Sequence, residues 1–250
     1  MSRRMSLGEI RWPDDEESRR LAVAWAESVV EQALDLVWRG FDHVAAHDLR
    51  DGPNLAAVRP EQLERELTQW HSIAVTRVWA QETRGYASFV PSHEPHEFES
   101  RKGGKAMPPS YDLGFIHCEN KRWKLPIEAK LLPSDESLAE YLGDIQRKYV
   151  PGIAAPWVGE CGMVGYLLKG MADEVFKGLA GRLNQQLTCV ERFKEREHRT
   201  TMHSRETAPT LRVHHMMMSC VPTGDRQAKG VRPGNSGHCK NEIRQSQTKT

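Results

Sequence analysis

Two short segments in the middle of the chain carry residue types that suit chemistry on a phosphate ester. Asp112 stands in YDLGFI, and Glu128 and Lys130 stand in LPIEAKLL. Because side chains alternate along a β-strand, Glu128 and Lys130 point to the same face of their segment. If the two segments pair as an antiparallel hairpin, Asp112 lies near Glu128. The pattern therefore predicts two carboxylates and one ammonium group at one end of a sheet.

Hydrolysis of a phosphodiester is a reaction that this trio suits. Mg²⁺ binds a few carboxylates and otherwise keeps its water, so Asp112 and Glu128 can hold Mg²⁺ or Mn²⁺. The ion stabilises charge on the phosphate and acidifies bound water, and Lys130 can orient that water. In the alternative interpretation, Glu128 and Lys130 form a surface pair and Asp112 is a turn residue. The apolar neighbours Ile127 and Leu131 disfavour it, because unpaired charge in an apolar strand is costly.

The elements around these segments follow from the spacing of apolar residues and from turn signals. A helix is predicted from Pro60 to about residue 81, because proline suits a helix start and glutamates follow it. A short β-prone run ends at Pro91, before the hairpin. After the hairpin the pattern predicts a helix over 134–150, an apolar strand over 161–170 and a helix over 172–187. The expected order is helix, three strands, helix, strand, helix.

This order of elements, with its acidic residues and its lysine, resembles the PD-(D/E)XK nuclease superfamily over roughly residues 60 to 190. Glu128–Ala129–Lys130 matches the family's ExK, and Pro109–Ser110–Tyr111–Asp112 stands where its PD element belongs, with two residues inserted. The resemblance implies an α/β, restriction-endonuclease-like fold with an αβββαβ core and a central mixed sheet flanked by helices. The segment DIQRKY is similar to a Gln and Tyr pair of RecB-type and lambda-exonuclease-type members, with a spacing of three residues instead of four.

The resemblance also implies a role for each candidate site residue. Asp112 and Glu128 would bind Mg²⁺ or Mn²⁺, assisted by Glu64 in the first turns of the preceding helix, with Glu66 as the alternative. Lys130 would position the attacking water. Gln146 would orient that water or an oxygen of the phosphate.

The nuclease-like domain is predicted to span residues 59–220, between two segments of different character. Residues 1–58 form an N-terminal helical extension, because a long amphipathic helix over 14–49 is followed by the breakers Gly52 and Pro53. Residues 221–250 contain almost no apolar side chains and form a disordered basic tail. The first of these segments offers a helix through which a protein partner or a second copy of the chain could dock.

Contact with DNA is expected to be local. The net charge is only +1, which excludes a uniformly basic surface. One group of candidate contacts lies in a glycine-containing loop, where cations and backbone amides suit phosphate: Arg101, Lys102 and Lys105. The other group follows Gln146 directly: Arg147, Lys148 and Tyr149.

Composition narrows the cellular setting. No stretch approaches the roughly 18 apolar residues of a membrane span, and the first residues lack the apolar core of a signal peptide. The five cysteines form no CxxC pair, which indicates neither a disulfide framework nor a zinc finger. The sequence thus predicts a cytoplasmic protein with no membrane contact.

The sequence therefore predicts a Mg²⁺-dependent deoxyribonuclease, and the resemblance implies bacterial phage defence, restriction or DNA repair as its setting. Two alternatives remain open. The chain could be a non-catalytic nuclease-like module that binds DNA or a partner protein. It could also cleave RNA, because a phosphodiester is chemically similar in both polymers.

Overall fold

The structure is a computed structural model that describes residues 11–12, 14–50, 54–83, 87–97, 108–132 and 137–220. Two groups of sequence predictions lie outside these ranges. They are the loop cations Arg101, Lys102 and Lys105, and the basic tail of residues 221–250.

Two long helices begin the described chain. Helix α1 spans Glu16–His47, and its first turn is capped by Asp15, whose side chain accepts a hydrogen bond from the Ser18 amide at 2.7 Å. Helix α2 spans Pro60–Thr83 and packs against α1. His71 of α2 joins them, because its Nε2 donates to the Val37 carbonyl at 2.7 Å. The apolar side chains of both helices belong to the same hydrophobic core as the sheet.

Seven strands form one mixed sheet in the order β1-β2-β3-β4-β7-β6-β5. Their bounds are β1 Phe89–His93, β2 Leu113–His117, β3 Lys124–Leu132, β4 Glu160–Leu167, β5 Thr188–Cys189, β6 His198–His203 and β7 Leu211–Ser219. The pairs β1–β2, β2–β3, β5–β6 and β6–β7 are antiparallel, whereas β3–β4 and β4–β7 are parallel. Every residue of β4 is buried, as expected of a central strand that is covered on both faces.

Helix α3, Ser137–Asp144, lies on the crossover between the parallel strands β3 and β4 and continues into a π-helical turn at Ile145–Tyr149, here called the π turn. Helix α4, Ala172–Leu183, follows β4 and packs against α3 and β7. Among the described residues, none of the helices combines the length and the hydropathy needed to cross a bilayer.

The α/β class and the order helix, three strands, helix, strand, helix are confirmed as α2, β1 to β3, α3, β4 and α4. The sheet is larger than the predicted core, because β7 pairs with β4 and carries β6 and β5 beyond it. A further difference is the π turn, which replaces the last turn of the helix predicted over 134–150.

A buried chain of hydrogen bonds ties β6 and β7 to α1. The Trp38 indole donates to His198 Nδ1 at 3.2 Å, His198 Nε2 lies 3.0 Å from His214 Nδ1, and His214 Nε2 lies 3.0 Å from Glu160 Oε2. An indole N–H can only donate, so His198 accepts at Nδ1 and carries its proton on Nε2. His198 then donates to His214, which donates to the carboxylate. Each ring nitrogen in this chain is therefore satisfied in one tautomer.

Candidate active site

The hairpin of β2 and β3 brings the two predicted metal ligands together. Leu113 pairs with Ile127, so Asp112, which immediately precedes β2, stands opposite Glu128 on the same face of the sheet. Asp112 Oδ2 accepts the backbone N–H of Ala129 at 2.7 Å, which fixes the carboxylate against β3. The sequence-predicted proximity of Asp112 and Glu128 thus follows from the antiparallel register.

Glu128 is a buried carboxyl group with a solvent-exposed fraction of only 2%. Burial and, after it, the neighbouring Asp112 carboxylate raise its pKa from an ordinary value of 4.5 to about 8, against the opposing effect of Lys148. A hydrogen bond between the Asp112 and Glu128 side chains contributes to the same shift. Burial and Asp112 therefore favour the protonated form of Glu128, whereas Lys148 favours its ionised form.

Glu64 reaches the site from α2. Its Oε1 lies 3.2 Å from the ammonium of Lys130, and its Oε2 accepts the backbone N–H of Leu131 at 2.8 Å. Glu64 is therefore held on β3 beside the lysine. To become a metal ligand, its carboxylate would have to give up one of these two contacts.

Lys130 is surrounded by carboxylates. Besides Glu64, its ammonium lies 3.4 Å from Asp144 Oδ2. Burial alone would lower the pKa of Lys130, but the charges of Glu64, Asp112, Asp144 and Glu128 outweigh burial and raise it. Lys130 is therefore a permanently charged ammonium group, suited to holding a water or a phosphate oxygen and unsuited to accepting a proton.

Asp144, the last residue of α3, was not among the candidates that the sequence singled out. Its Oδ2 lies 3.4 Å from Lys130 Nζ and 3.5 Å from Lys148 Nζ, so it bridges the two ammonium groups. The spacing of four residues between Asp144 and Lys148, which places two residues on one helical face, was the signal that could have identified it.

The π turn decides which side chains of DIQRKY face the site. The Val150 amide donates to the Ile145 carbonyl at 2.9 Å, five residues earlier, and such a turn changes the facing of the residues that follow it. Lys148 points inward and donates to Glu128 Oε1 at 2.8 Å. Gln146 is exposed, and the contacts found among the described residues do not join it to the site.

Arg147 and Tyr149, two of the predicted DNA contacts, take opposite positions. The Arg147 side chain is 71% exposed and lies 3.7 Å from Asp144 Oδ1. Tyr149 is fully buried and stacks on Tyr111 with ring centroids 6.4 Å apart. Its hydroxyl has no hydrogen-bond partner within the described ranges. In this conformation Arg147 is available to a ligand in solvent, and Tyr149 lies behind the site.

A second buried network supports the hairpin from behind. Glu97 accepts from the Tyr111 hydroxyl and from Lys124 Nζ, the latter at 3.0 Å, and both Glu97 and Lys124 are only 2% exposed. The Ala155 amide donates to the Tyr111 hydroxyl at 3.0 Å. Because breaking a buried ion pair leaves an uncompensated charge, this network holds the segment after β1 against β3.

An acidic cleft leads from solvent to the candidate site. It has a volume of about 620 Å³, and the charged residues that line it are Glu61, Glu64, Arg65, Glu94, Asp112 and Glu140. Carboxylates outnumber cations in this lining, so the cleft attracts cations and repels a phosphate that arrives without one.

The donor set fits a divalent ion that keeps most of its water. Within the described part of the chain, no group of three or more His, Cys, Asp or Glu side chains is arranged to hold a metal. Asp112 and Glu128 nevertheless face each other with one oxygen each engaged elsewhere, by Ala129 and Lys148. A divalent cation can bind where two carboxylates face each other, and Mg²⁺ needs only one or two protein carboxylates.

Comparison of the chain with family models, with curated proteins and with solved structures found no match. A function for the protein therefore has to rest on the geometry of this site.

Asp112→Asn is expected to raise the melting temperature in EDTA at pH 8.5, where Glu128 has lost its proton and the two carboxylates repel each other. Each kcal/mol by which the substitution raises the free energy of unfolding corresponds to a melting temperature about 2–4 °C higher for a chain of this size. In millimolar Mn²⁺ the wild type should melt at the higher temperature, because metal binding stabilises only the intact pair of carboxylates. Differential scanning calorimetry checks both.

The control for this experiment is Asp173→Asn, which removes an exposed carboxylate from the first turn of α4. Its melting temperature should respond to Mn²⁺ as the wild type does. Equal shifts of the Asp112→Asn variant and the wild type on addition of Mn²⁺ would contradict metal binding at Asp112.

Proposed function

We propose that the protein is a metal-dependent nuclease that hydrolyses phosphodiester bonds of DNA, built on a restriction-endonuclease-like αβββαβ core. The observation that carries this proposal is the carboxyl pair of Asp112 and Glu128, which face each other across the β2–β3 hairpin beside the ammonium of Lys130. Such a pair suits a divalent cation, and an adjacent permanent ammonium suits a water or a phosphate oxygen.

Each residue of the site has a distinct task in this proposal. Asp112 and Glu128 hold Mg²⁺ or Mn²⁺, with Glu64 as an additional ligand once it releases Lys130. A bound divalent ion supplies charge stabilisation on the phosphate and acidifies a water molecule. Lys130 positions the attacking water, and its own place is fixed by Asp144.

Contact with the DNA backbone is assigned to cations near the π turn. Arg147 is exposed there, and Gln146 is also exposed and open to a phosphate oxygen. Arg101, Lys102 and Lys105 are proposed as further contacts, although they lie outside the described residues. A setting in bacterial phage defence, restriction or DNA repair rests on the family resemblance alone.

One observation favours a second candidate, a non-catalytic module that binds DNA or a partner protein. Both ammonium groups of the site already have carboxylate partners without a metal: Lys130 pairs with Glu64 and Asp144, and Lys148 pairs with Glu128. Such a network could serve stability alone. The two candidates differ in one measurable property, which is hydrolysis.

Incubation of the purified protein with nucleic acids tests the proposal. Linear and circular duplex DNA, single-stranded DNA and RNA of the same sequence are each offered with Mg²⁺, Mn²⁺ or EDTA. Cleavage of DNA that requires the metal and is lost in Glu128→Gln supports the nuclease. DNA binding without cleavage under every condition supports the binding module, and cleavage of RNA alone shows that the substrate class is wrong.

Metal binding is expected to release one proton, because Glu128 must ionise before it can act as a ligand. Since its pKa is raised to about 8, the apparent affinity for Mn²⁺ should rise about tenfold per pH unit up to pH 8 and level off above it. Calorimetric titrations in buffers of different ionisation enthalpy count the proton. In Glu128→Gln the affinity should be weak and independent of pH, and a pH-independent affinity of the wild type would contradict the assignment.

A further inference from the structure

Lys148 occupies a cationic position in the site that the proposed mechanism does not yet use. Its ammonium donates to Glu128 Oε1 at 2.8 Å and lies 3.5 Å from Asp144 Oδ2. The Glu128 side chain is 3% exposed, whereas that of Lys148 is 32% exposed. The lysine thus reaches from solvent to a buried anion and covers one of its two oxygens.

We propose that Lys148 is an internal counter-ion, which donates to Glu128 in the acidic site of the metal-free protein and moves to the scissile phosphate when a divalent cation binds at Asp112 and Glu128. This inference rests on the proposed function, because it assigns a second position to Lys148 only in the presence of metal and substrate.

The charge balance of the site supports this exchange. Four carboxylates face two ammonium groups, namely Glu64, Asp112, Glu128 and Asp144 against Lys130 and Lys148. With every group ionised, the site carries a formal charge of two negative units, which one dication neutralises. A dication next to Glu128 also repels the ammonium of Lys148 at short range. Lys148 therefore loses its best partner at the moment when a phosphate brings a new negative charge.

The two lysines differ in their freedom to move. Lys130 is 18% exposed and lies between Glu64 and Asp144, so it keeps Asp144 as a partner when Glu64 turns to the metal. Lys148 stands at the more exposed side of the site, and Asp144 gives it a second anchor one helical turn away. A rotation of its side chain, with Asp144 as the pivot, therefore carries the ammonium from Glu128 towards solvent without a change of the backbone.

The test compares three variants of the full chain. Lys148→Met removes the charge and keeps most of the apolar stem, and Lys148→Arg keeps the charge. Arg147→Met is the matched control, because it removes the neighbouring cation, which contacts Asp144 at 3.7 Å and is 71% exposed. For each variant, calorimetry measures Mn²⁺ affinity, melting is recorded in EDTA, and cleavage of duplex DNA is timed at saturating Mn²⁺.

Lys148→Met is expected to bind Mn²⁺ roughly tenfold more tightly than the wild type. Loss of the Lys148 charge favours both a proton and Mn²⁺ at the carboxyl pair, but the doubly charged ion gains twice as much Coulomb energy as the proton that it displaces. It should also melt at a lower temperature in EDTA, because Glu128 loses its partner. Cleavage should be at least roughly tenfold slower, because the phosphate loses its ammonium. Arg147→Met should keep the wild-type Mn²⁺ affinity, and Lys148→Arg should keep most of the cleavage rate.

Tighter metal binding together with slower cleavage cannot come from a damaged fold, so this combination supports the exchange. If the wild type binds Mn²⁺ and cleaves DNA but Lys148→Met binds Mn²⁺ no more tightly, the counter-ion proposal is wrong and the nuclease proposal stands. If Lys148→Met binds Mn²⁺ more tightly and cleaves at the wild-type rate, the transfer to phosphate is wrong. If the wild type neither binds Mn²⁺ nor cleaves, both proposals fail.

Discussion

Lys130→Ala is expected to reduce DNA cleavage at least about a hundredfold while Mn²⁺ binding stays at least as tight as in the wild type. A preorganised charged donor at the reacting centre contributes on the order of a hundredfold to a thousandfold in rate. Lys130 lies beside the carboxyl pair but supplies no ligand, because an ammonium has no lone pair. Single-turnover cleavage and Mn²⁺ calorimetry, measured on the same samples, separate the two effects.

Glu128→Ala gives the contrasting result, since it removes a carboxylate ligand and should abolish both cleavage and tight Mn²⁺ binding. Lys177→Ala, at an exposed position of α4, is the control for loss of a lysine and should leave both unchanged. The melting temperature of each variant is also measured in EDTA. This shows whether the variant is folded, because Lys130 also neutralises Glu64 and Asp144. Wild-type cleavage by a folded Lys130→Ala variant would remove Lys130 from the mechanism.

The part of the site that depends on local pairing could be predicted from the sequence. Asp112 and Glu128 meet because two adjacent segments form a hairpin, and the alternation of a strand places Lys130 on the face of Glu128. Glu64 could also be located, because an acidic residue in the first turns of α2 is carried to the end of β3. These inferences need only short-range geometry and the known order of the elements.

Which side chains of the segment DIQRKY face the site could not be predicted in the same way. The family resemblance implies a place for Gln146 in the site, whereas the structure turns Lys148 inward and leaves Gln146 exposed. The i to i+5 bond of the π turn, from Val150 to Ile145, changes which residues share a face. Neither the composition nor the apolar spacing of this segment signals the extra residue in the turn.

The extension of the sheet beyond β4 depends on contacts between residues far apart in the chain. The strand β7 pairs with β4 over residues separated by about fifty positions, as in the pair Cys161 and Val213. Alternation along a strand also does not show which polar groups the buried histidines of β6 and β7 meet. Their partners are Trp38 in α1, Tyr141 in α3 and Glu160 in β4, and only the tertiary fold brings these together.

Two buried histidines, His71 and His215, should make the folded protein markedly less stable in mild acid. Burial lowers the pKa of His215 to about 3, with His203 and His214 contributing, and burial lowers the pKa of His71 to about 4 despite the Val37 carbonyl. Both rings are engaged while neutral. His215 lies 3.0 Å from the Tyr141 hydroxyl and 2.9 Å from Thr201 Oγ1, and His71 lies between Val37 and Tyr166.

The sign of the effect follows from which state binds more protons. In the unfolded chain a histidine titrates near pH 6.5, so below that pH the unfolded state takes up protons that the folded state refuses. The free energy of unfolding therefore falls as the pH drops from 6.5 towards 4. At pH 5 the loss is about 2 kcal/mol for each of His71 and His215. Glu128 acts in the opposite sense, because its raised pKa lets the folded state hold a proton below pH 8.

His215→Gln should separate these opposing contributions, because Glu128 affects the variant and the wild type alike and cancels in their difference. The variant is less stable at pH 7, since it loses well-packed hydrogen bonds, but it has no imidazole to protonate. The stability gap between wild type and variant should therefore shrink by about 2 kcal/mol between pH 7 and pH 5. Urea unfolding at each pH measures it. A gap for His215→Gln that stays constant down to pH 5 would mean that this ring is not held neutral in the folded protein.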